Sequence, residues 1–496
     1  MTGVGAGIGT IRGARIAGPG RELLPDDGAY DVLLDGAAIA DLAPAGAMRP
    51  RGEVLDADGA WLVPGLWDHH VHVVQWALGA ERVPLGAAES AAAAAALMRD
   101  APVLPDGRRV GAGFRDALWP DAPSLELLDA ATGEVPAYLI GADVHSVWLN
   151  AAAFRREGFA PESSGLLRET DAFEVSRRLN AADDLAADAS VARAAAGAAA
   201  RGVVGIVDYD MGWNPGAWAR RLGAGLDLLR VEAAVYPAQL DRAVAEGLRT
   251  GDAIDAAGLV RVGALKVIAD GSLGTRTAAT SRPYPDGSRG VMTVPPAALA
   301  ELLTAATAAG LACAVHAIGD VANAHALDAF ALTGATGTIE HAQLVAHADL
   351  ARFARLGVGA SVQPAHALDD RELTDALWAA QTALPYPLRS LAGQGANLLF
   401  GSDAPVAAMD PWATMAAAVF RARDGREPWQ PEEAVDAATA LAASTAGGST
   451  APSPIAPGAV ADLALCEADP LTADEPALRA MPVSATLLAG RLTHLA

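Results

Sequence analysis

LACAVHAIGDVANAHALDAFALTGATGTIEH, residues 311–341, holds the pattern on which the fold turns. Leu311–His316 is an apolar run that ends in a histidine. Val321–Leu332 then spaces its apolar residues as a helix does, and Gly337–His341 is a second apolar run ending in a polar pair. The unit is strand, helix, strand. It recurs in both directions, with Pro296–Ala309 reading as the helix before the strand at His316. Strand candidates end near Asp208, Tyr236, Ala269, His316, His341, Gln363 and Asp403. Alternating strands and helices make a parallel sheet. With the strand ending at His72 the count reaches eight, which predicts an α/β fold, a closed (β/α)8 (TIM) barrel, with its site at the C-terminal strand ends.

One spacing breaks the rhythm. About 130 residues separate His72 from the strand near Val203, where a βα unit takes about 30. An insertion over about 73–200 is therefore expected. It holds an Ala-rich helix (Ala87–Leu97), strand candidates at Val110–Phe114 and Ala137–Ala142, and a helical region from Ala181 to Ala200. The chain ends read differently. Ile8–Ile16 and Tyr30–Ala45, then Ala461–Cys466 and Val483–Arg491, are short strands among turn signals such as Pro457-Gly458. Neither end carries enough apolar surface alone, so the two are expected to pair. The expected division is a composite β domain from 1–64 and 430–496, and a barrel over 65–429.

Composition narrows the function. The 496 residues are 52% hydrophobic and 19% charged, which describes a globular chain. A formal charge of −23 argues against nucleic acid and anionic membranes. No run of about 18 uncharged apolar residues and no secretory leader pattern is seen, and two cysteines make no disulfide framework. A soluble cytoplasmic protein is expected, a homodimer being the commonest assembly.

The chemistry concentrates at strand ends. In Pro64-Gly-Leu-Trp-Asp-His-His-Val-His72, His70 and His72 lie two apart and share a strand face, with His69 opposite. Such a pair suits Zn, Mn, Fe or Ni. The runs ending at His316, His341 and Asp403 repeat the pattern. Among 36 basic residues one is lysine, Lys266, within the apolar Leu265–Ile268. Arginine stays charged near neutral pH, whereas a buried lysine can become a neutral amine. Lys266 then reads either as a partner of Asp270 or Asp403, or as a carbamate formed with carbon dioxide, able to bridge two cations.

The phrases PGLWDHHVH (64–72), LKVIADGSLGTRTAA (265–279), HAIGD (316–320), IEHAQ (339–343) and GSDAPV (401–406) resemble the amidohydrolase superfamily, in its Amidohydrolase-3 branch of YtcJ-like proteins and N-substituted formamide deformylases. Weaker matches are ADVHSVWLNAAAF (142–154) and PGAVADLAL (457–465). The resemblance implies the barrel with a small β-sandwich built from both termini. It implies one cation on His70, His72 and Asp403, a second on His316 and His341, and a carbamate on Lys266 bridging them. Zinc is the first expectation, with Mn, Fe, Co or Ni as alternatives. It implies hydrolysis of a non-peptide C–N bond in a small amide or formamide, by a metal-activated bridging hydroxide with Asp403 as general base. His145 is a candidate for holding the substrate carbonyl or oxyanion. Trp148, Arg276, Asp270 and Gln363 are candidate substrate contacts, and Asp320 and Glu340 candidate orienting groups. His325, His347, His366 and His494 read as ordinary histidines, and Cys313 as a small buried residue. His69 stands where the resemblance favours a small residue. A mononuclear hydrolase or deaminase and an esterase or lactonase remain alternatives. A silent scaffold fits least, since every expected ligand is present.

Overall fold

The computed structural model describes residues 4–79, 82–104, 106–180 and 184–496. Its centre is a parallel sheet of eight strands: Leu66–Val71, Val203–Asp208, Arg230–Val235, Val260–Ile268, Cys313–Ala317, Gly337–His341, Gly359–Val362 and Leu398–Phe400. Each pairs in parallel with the next in that order. They are the eight strands expected from the sequence. The first and last meet just beyond their ends. Asp403 N donates to His70 O (2.7 Å), and His72 N donates to Ala404 O (2.9 Å). Gly401 makes this approach possible, because a Cβ there would stand 2.6 Å from His70 N.

The strands are apolar because both faces are covered. Outside the barrel, Pro296–Ala309 turns Leu299, Leu303 and Ala306 inward at helical spacing. Each leucine so buried contributes about 2 kcal/mol. Asp320–Thr333 follows the fifth strand and buries Ala322, Ala326, Leu327 and Phe330.

The two chain ends form one mixed sheet of eight strands. Its seam is Trp61–Pro64 running antiparallel to Leu463–Cys466. Ile11, Val32 and Leu62 from the first end pack with Leu463, Leu487 and Leu492 from the other, which supplies the apolar surface each lacked alone. Tyr30–Ala45 splits into two strands, Ala29–Asp35 and Ala38–Pro44. The pairing connects all eight strands into one sheet, branched where Glu53–Asp56 joins Ile8–Ile16.

Between the first two barrel strands lies a second sheet of five strands, in the order Leu166–Arg168, Ser146–Leu149, Ala137–Gly141, Arg109–Phe114 and Val83–Pro84. The Ala-rich helix runs Ala91–Arg99, starting later than the sequence suggests because Ser90 caps it by accepting from Ala93 N. The last helix of this region is Asp184–Ala199; residues 181–183 of the expected stretch lie outside the described residues. Among the described residues, no helix is long and apolar enough to cross a membrane.

Candidate metal centre

Six sequence-selected residues, His70, His72, Lys266, His316, His341 and Asp403, line the floor of one cavity of about 690 Å³. Asp403 stands among the histidines. Its Oδ1 lies 3.3 Å from His72 Nε2 and 3.6 Å from His70 Nε2. Its Oδ2 lies 4.0 Å from His341 Nδ1. The rings of His70 and His341 are 4.8 Å apart, and those of His316 and His341 4.5 Å. His70, His341 and Asp403 each offer a ligand atom within 4.8 Å of the others. Two of these residues hold unusual backbones: His341 at φ 73° and Asp403 at φ 58° lie in the left-handed region. Non-glycine residues there carry strain, which gathers where a side chain must be aimed.

Hydrogen bonds fix which nitrogens face inward. His70 Nδ1 donates to Glu340 Oε2 at 2.6 Å, leaving Nε2 to the centre. His341 Nδ1 donates to Gln363 Oε1 at 2.9 Å. His316 Nε2 donates to Gly271 O at 3.3 Å and stands 3.5 Å from Asp270 Oδ1. Burial first, and then neighbouring positive charge, hold His70, His316 and His341 well below the usual histidine range. Neutral imidazole is the form that binds a metal. Asp403 is shifted the other way. Burial would raise it, but His72, His366 and Lys266 outweigh burial and hold it lowered and ionised.

Lys266 is 1% exposed, with Nζ 3.2 Å from His70 Nε2 and 4.2 Å from the centre of the Tyr209 ring. No carboxylate of the described residues pairs with it within 4.0 Å, so neither Asp270 nor Asp403 is its ion-pair partner. Burial pulls its amine down to about 8, against the opposing pull of Glu340 and Asp403. Tyr209, which sequence reading missed, seats the amine and donates its hydroxyl to Glu340 Oε1 at 3.2 Å.

The inserted sheet builds the facing wall. His145 is 6% exposed, with its ring 5.5 Å from that of His316. Its Nδ1 pairs with Glu169 Oε2 at 2.8 Å. Burial opposes the charged form, yet Glu169, Asp143 and Asp403 outweigh it and raise His145 to about 9. The loop beyond the fourth barrel strand ties this wall to the barrel. Thr277 Oγ1 donates to Glu169 Oε1 (2.5 Å), and Ser272 Oγ donates to Asp143 Oδ2 (2.6 Å).

Four expected substrate contacts are corrected. Trp148 is fully buried within the inserted sheet's own core, where its Nε1 donates to Ser124 O at 3.1 Å. It alternates away from the cavity. Arg276 points to solvent and pairs with Asp286 at 3.2 Å. Asp270 is fully buried and accepts from Ile318 N, Gly319 N and Ala279 N at 2.9–3.0 Å. Burial raises its carboxyl to about 7. It shapes the loops beside His316. Gln363 is spent on His341. Glu340 orients His70 as expected, whereas Asp320 accepts from Ser281 N at 2.8 Å and touches none of the six. His69 packs behind the site, stacked on Trp67 with Nε2 2.9 Å from Thr445 O. His366, read as ordinary, is buried in the cavity wall with Nε2 3.8 Å from Asp403 Oδ2. Its available signal was its place three residues beyond the seventh strand end at Gln363.

The donor set fits a divalent cation. Neutral imidazoles and an ionised carboxylate converge, and Asp403 Oδ1 is buried with no hydrogen-bond partner. The chain is similar to Protein LONG AFTER FAR-RED 3 of Arabidopsis thaliana, 27% identical over 79% of this chain and 74% of that one. It is also similar to the putative amidohydrolase YtcJ of Bacillus subtilis, 24% identical over 75% of each. Among solved structures, an uncharacterized metal-dependent hydrolase of Pyrococcus horikoshii superposes with TM-score 0.77 and 25% identity, covering 94% of this chain and 99% of that one. The sequence model of the Amidohydrolase family matches residues 53–494, and the chain belongs to that family, as a hydrolase whose strand-end histidines and aspartate form a candidate divalent-metal site.

Proposed function

We propose that the chain hydrolyses a non-peptide C–N bond of amide or formamide type in a small molecule, with two divalent cations and a carbamate on Lys266. The observation that carries this reading is Asp403. It is a buried, ionised carboxylate with one oxygen toward His70 and His72 and the other toward His341 and His366. Bound cations lower the pKa of water and polarise a carbonyl. His70, His72 and Asp403 would hold one, His316 and His341 the other, with Lys266 between. Asp403 takes a proton from the attacking water and delivers it to the leaving nitrogen. His145, kept cationic by Glu169, donates to the acyl oxygen as charge builds on it. Phe114, Phe173, Ile318 and Leu373 give part of the cavity an apolar lining, beside Arg115 and the acidic Asp116, Asp143, Asp369, Asp370 and Glu372, an acidic excess that suits a neutral rather than an anionic substrate.

The test is turnover by the zinc-loaded chain on N-formyl amines, N-acyl amino acids, cyclic amides and esters. Amine release is expected; hydrolysis of esters alone would overturn the C–N assignment. Asp403→Asn is expected to lower kcat by about 10²–10⁴. Lys266→Ala is expected to lose one equivalent of metal and most activity; two metals with full activity would remove the carbamate. The compact trio His70, His341 and Asp403 favours a second reading, a mononuclear hydrolase. Metal counting on the active protein separates the two.

A further inference from the structure

The cavity wall across from His145 holds a polar group that the hydrolytic scheme leaves unused. His366 is 4% exposed and sits on the short helix Pro364–Asp369. Its Nδ1 lies 3.2 Å from Gln343 Nε2. The Tyr386 hydroxyl stands 3.4 Å from Gln343 Oε1 and 2.9 Å from Asp370 Oδ2. With its amide nitrogen toward the ring, Gln343 donates to Nδ1, so the ring proton is carried on Nε2. Nε2 has no hydrogen-bond partner and stands 3.8 Å from Asp403 Oδ2. A carboxylate oxygen on that side favours an N–H over a bare lone pair. A buried donor left unpaired is costly, so one in a cavity wall is a group that a ligand completes.

We propose that His366 is a substrate-facing hydrogen-bond donor, selecting amides whose leaving amine carries a neutral acceptor oxygen within two or three bonds of the scissile nitrogen. This rests on the reading of Asp403 as the carrier of the proton to that nitrogen. A nitrogen in hydrogen-bond range of Asp403 Oδ2 lies beside His366. Its own lone pair is delocalised into the carbonyl and accepts no hydrogen bond, so the donor meets the next atoms of the amine half. The acyl oxygen lies the other way. The rings contact one another in the order His145, His316, His341, His366, with centroids 5.5, 4.5 and 6.4 Å apart, so two imidazoles stand between His145 and His366. Asp369 and Asp370 line the same wall as Asp403, and Arg115 is already drawn to them at 3.8 and 3.5 Å. An anionic acceptor meets repulsion there; a neutral one does not.

A matched pair tests this: N-formyl-2-methoxyethylamine and N-formylbutylamine differ by one oxygen in place of a methylene. Binding by calorimetry and kcat/KM are measured on the zinc-loaded chain, on His366→Leu and on His366→Gln. The unaltered chain is expected to favour the methoxyethyl compound about fivefold. His366→Leu should erase that preference at unchanged metal content, and His366→Gln, which keeps a donor, should restore part of it. Nitrogen-15 NMR of the unaltered chain should place the His366 proton on Nε2. Equal or undetectable binding of both compounds, a preference that survives in His366→Leu, or a proton on Nδ1 would each overturn the proposal. Selective binding without turnover leaves His366 as the donor and removes the hydrolytic reading. Equal turnover of both does the reverse.

Discussion

His145 and Glu169 show how far one buried pair departs from its model-peptide behaviour. The pair lies on the inserted sheet's side of the cavity, and His145 is raised to about 9 against the pull of burial. A histidine whose folded value exceeds its unfolded value of about 6.5 stabilises the fold fully below that value. The contribution fades as pH rises toward 9. In the metal-free protein, the share of the urea unfolding free energy that His145 supplies should therefore fall by about 3 kcal/mol between pH 6 and 9.5. His145→Gln should flatten that slope; an unchanged slope would mean that the imidazolium is not held by Glu169. Lys266 shows the other direction. Its amine is desolvated between His70 and the Tyr209 ring, and the pull toward the neutral form is what makes the one lysine chemically different from the 35 arginines.

At the scale of elements, the strand ends decide the site. Each apolar run was legible because both faces of a barrel strand are covered, so its first polar residue marks the C-terminal end. His316, His341 and Asp403 were read in this way. The side chains that orient them were harder to read. Glu340 and Gln363 look alike in sequence, as polar residues at strand ends, yet one holds His70 and the other His341. Trp148 and His145 lie three apart around one inserted strand, and the pleat sends one into a core and the other into the cavity. Barrel closure hangs on Gly401, where the last strand passes the His70 backbone. Gly401→Ala is expected to destabilise by about 1–3 kcal/mol through overpacking, read as a lower Tm. It should also weaken metal binding, because the displaced atoms belong to His70 and to Asp68, whose Oδ1 accepts from His70 N and Ser402 N. A variant with unchanged Tm and metal content would show that the two strands can part without cost.

For the whole molecule, the site is shared between barrel and insertion. Donors from the first, fifth, sixth and eighth strands converge with Lys266 of the fourth, while His145 arrives from the inserted sheet and is tied back through Glu169 and Thr277. A cation held by side chains from different strands, as His70, His341 and Asp403 would hold one, stabilises only the folded chain. Chelation should therefore lower Tm as well as activity, and zinc should restore both. Loss of activity with an unmoved Tm would place the metal outside this cluster. The sequence by itself determined the barrel, the order of its strands and the six residues on its floor, because strand periodicity and polar strand ends are local signals. Only the tertiary structure decided which polar groups serve that floor. His366 and Tyr209 reach it from separate parts of the chain and Glu169 holds His145 beside it, while Arg276 and Trp148, close in sequence to cavity-lining residues, are turned away. Side-chain direction in a folded loop is set by contacts distant in the chain, and no local pattern records them.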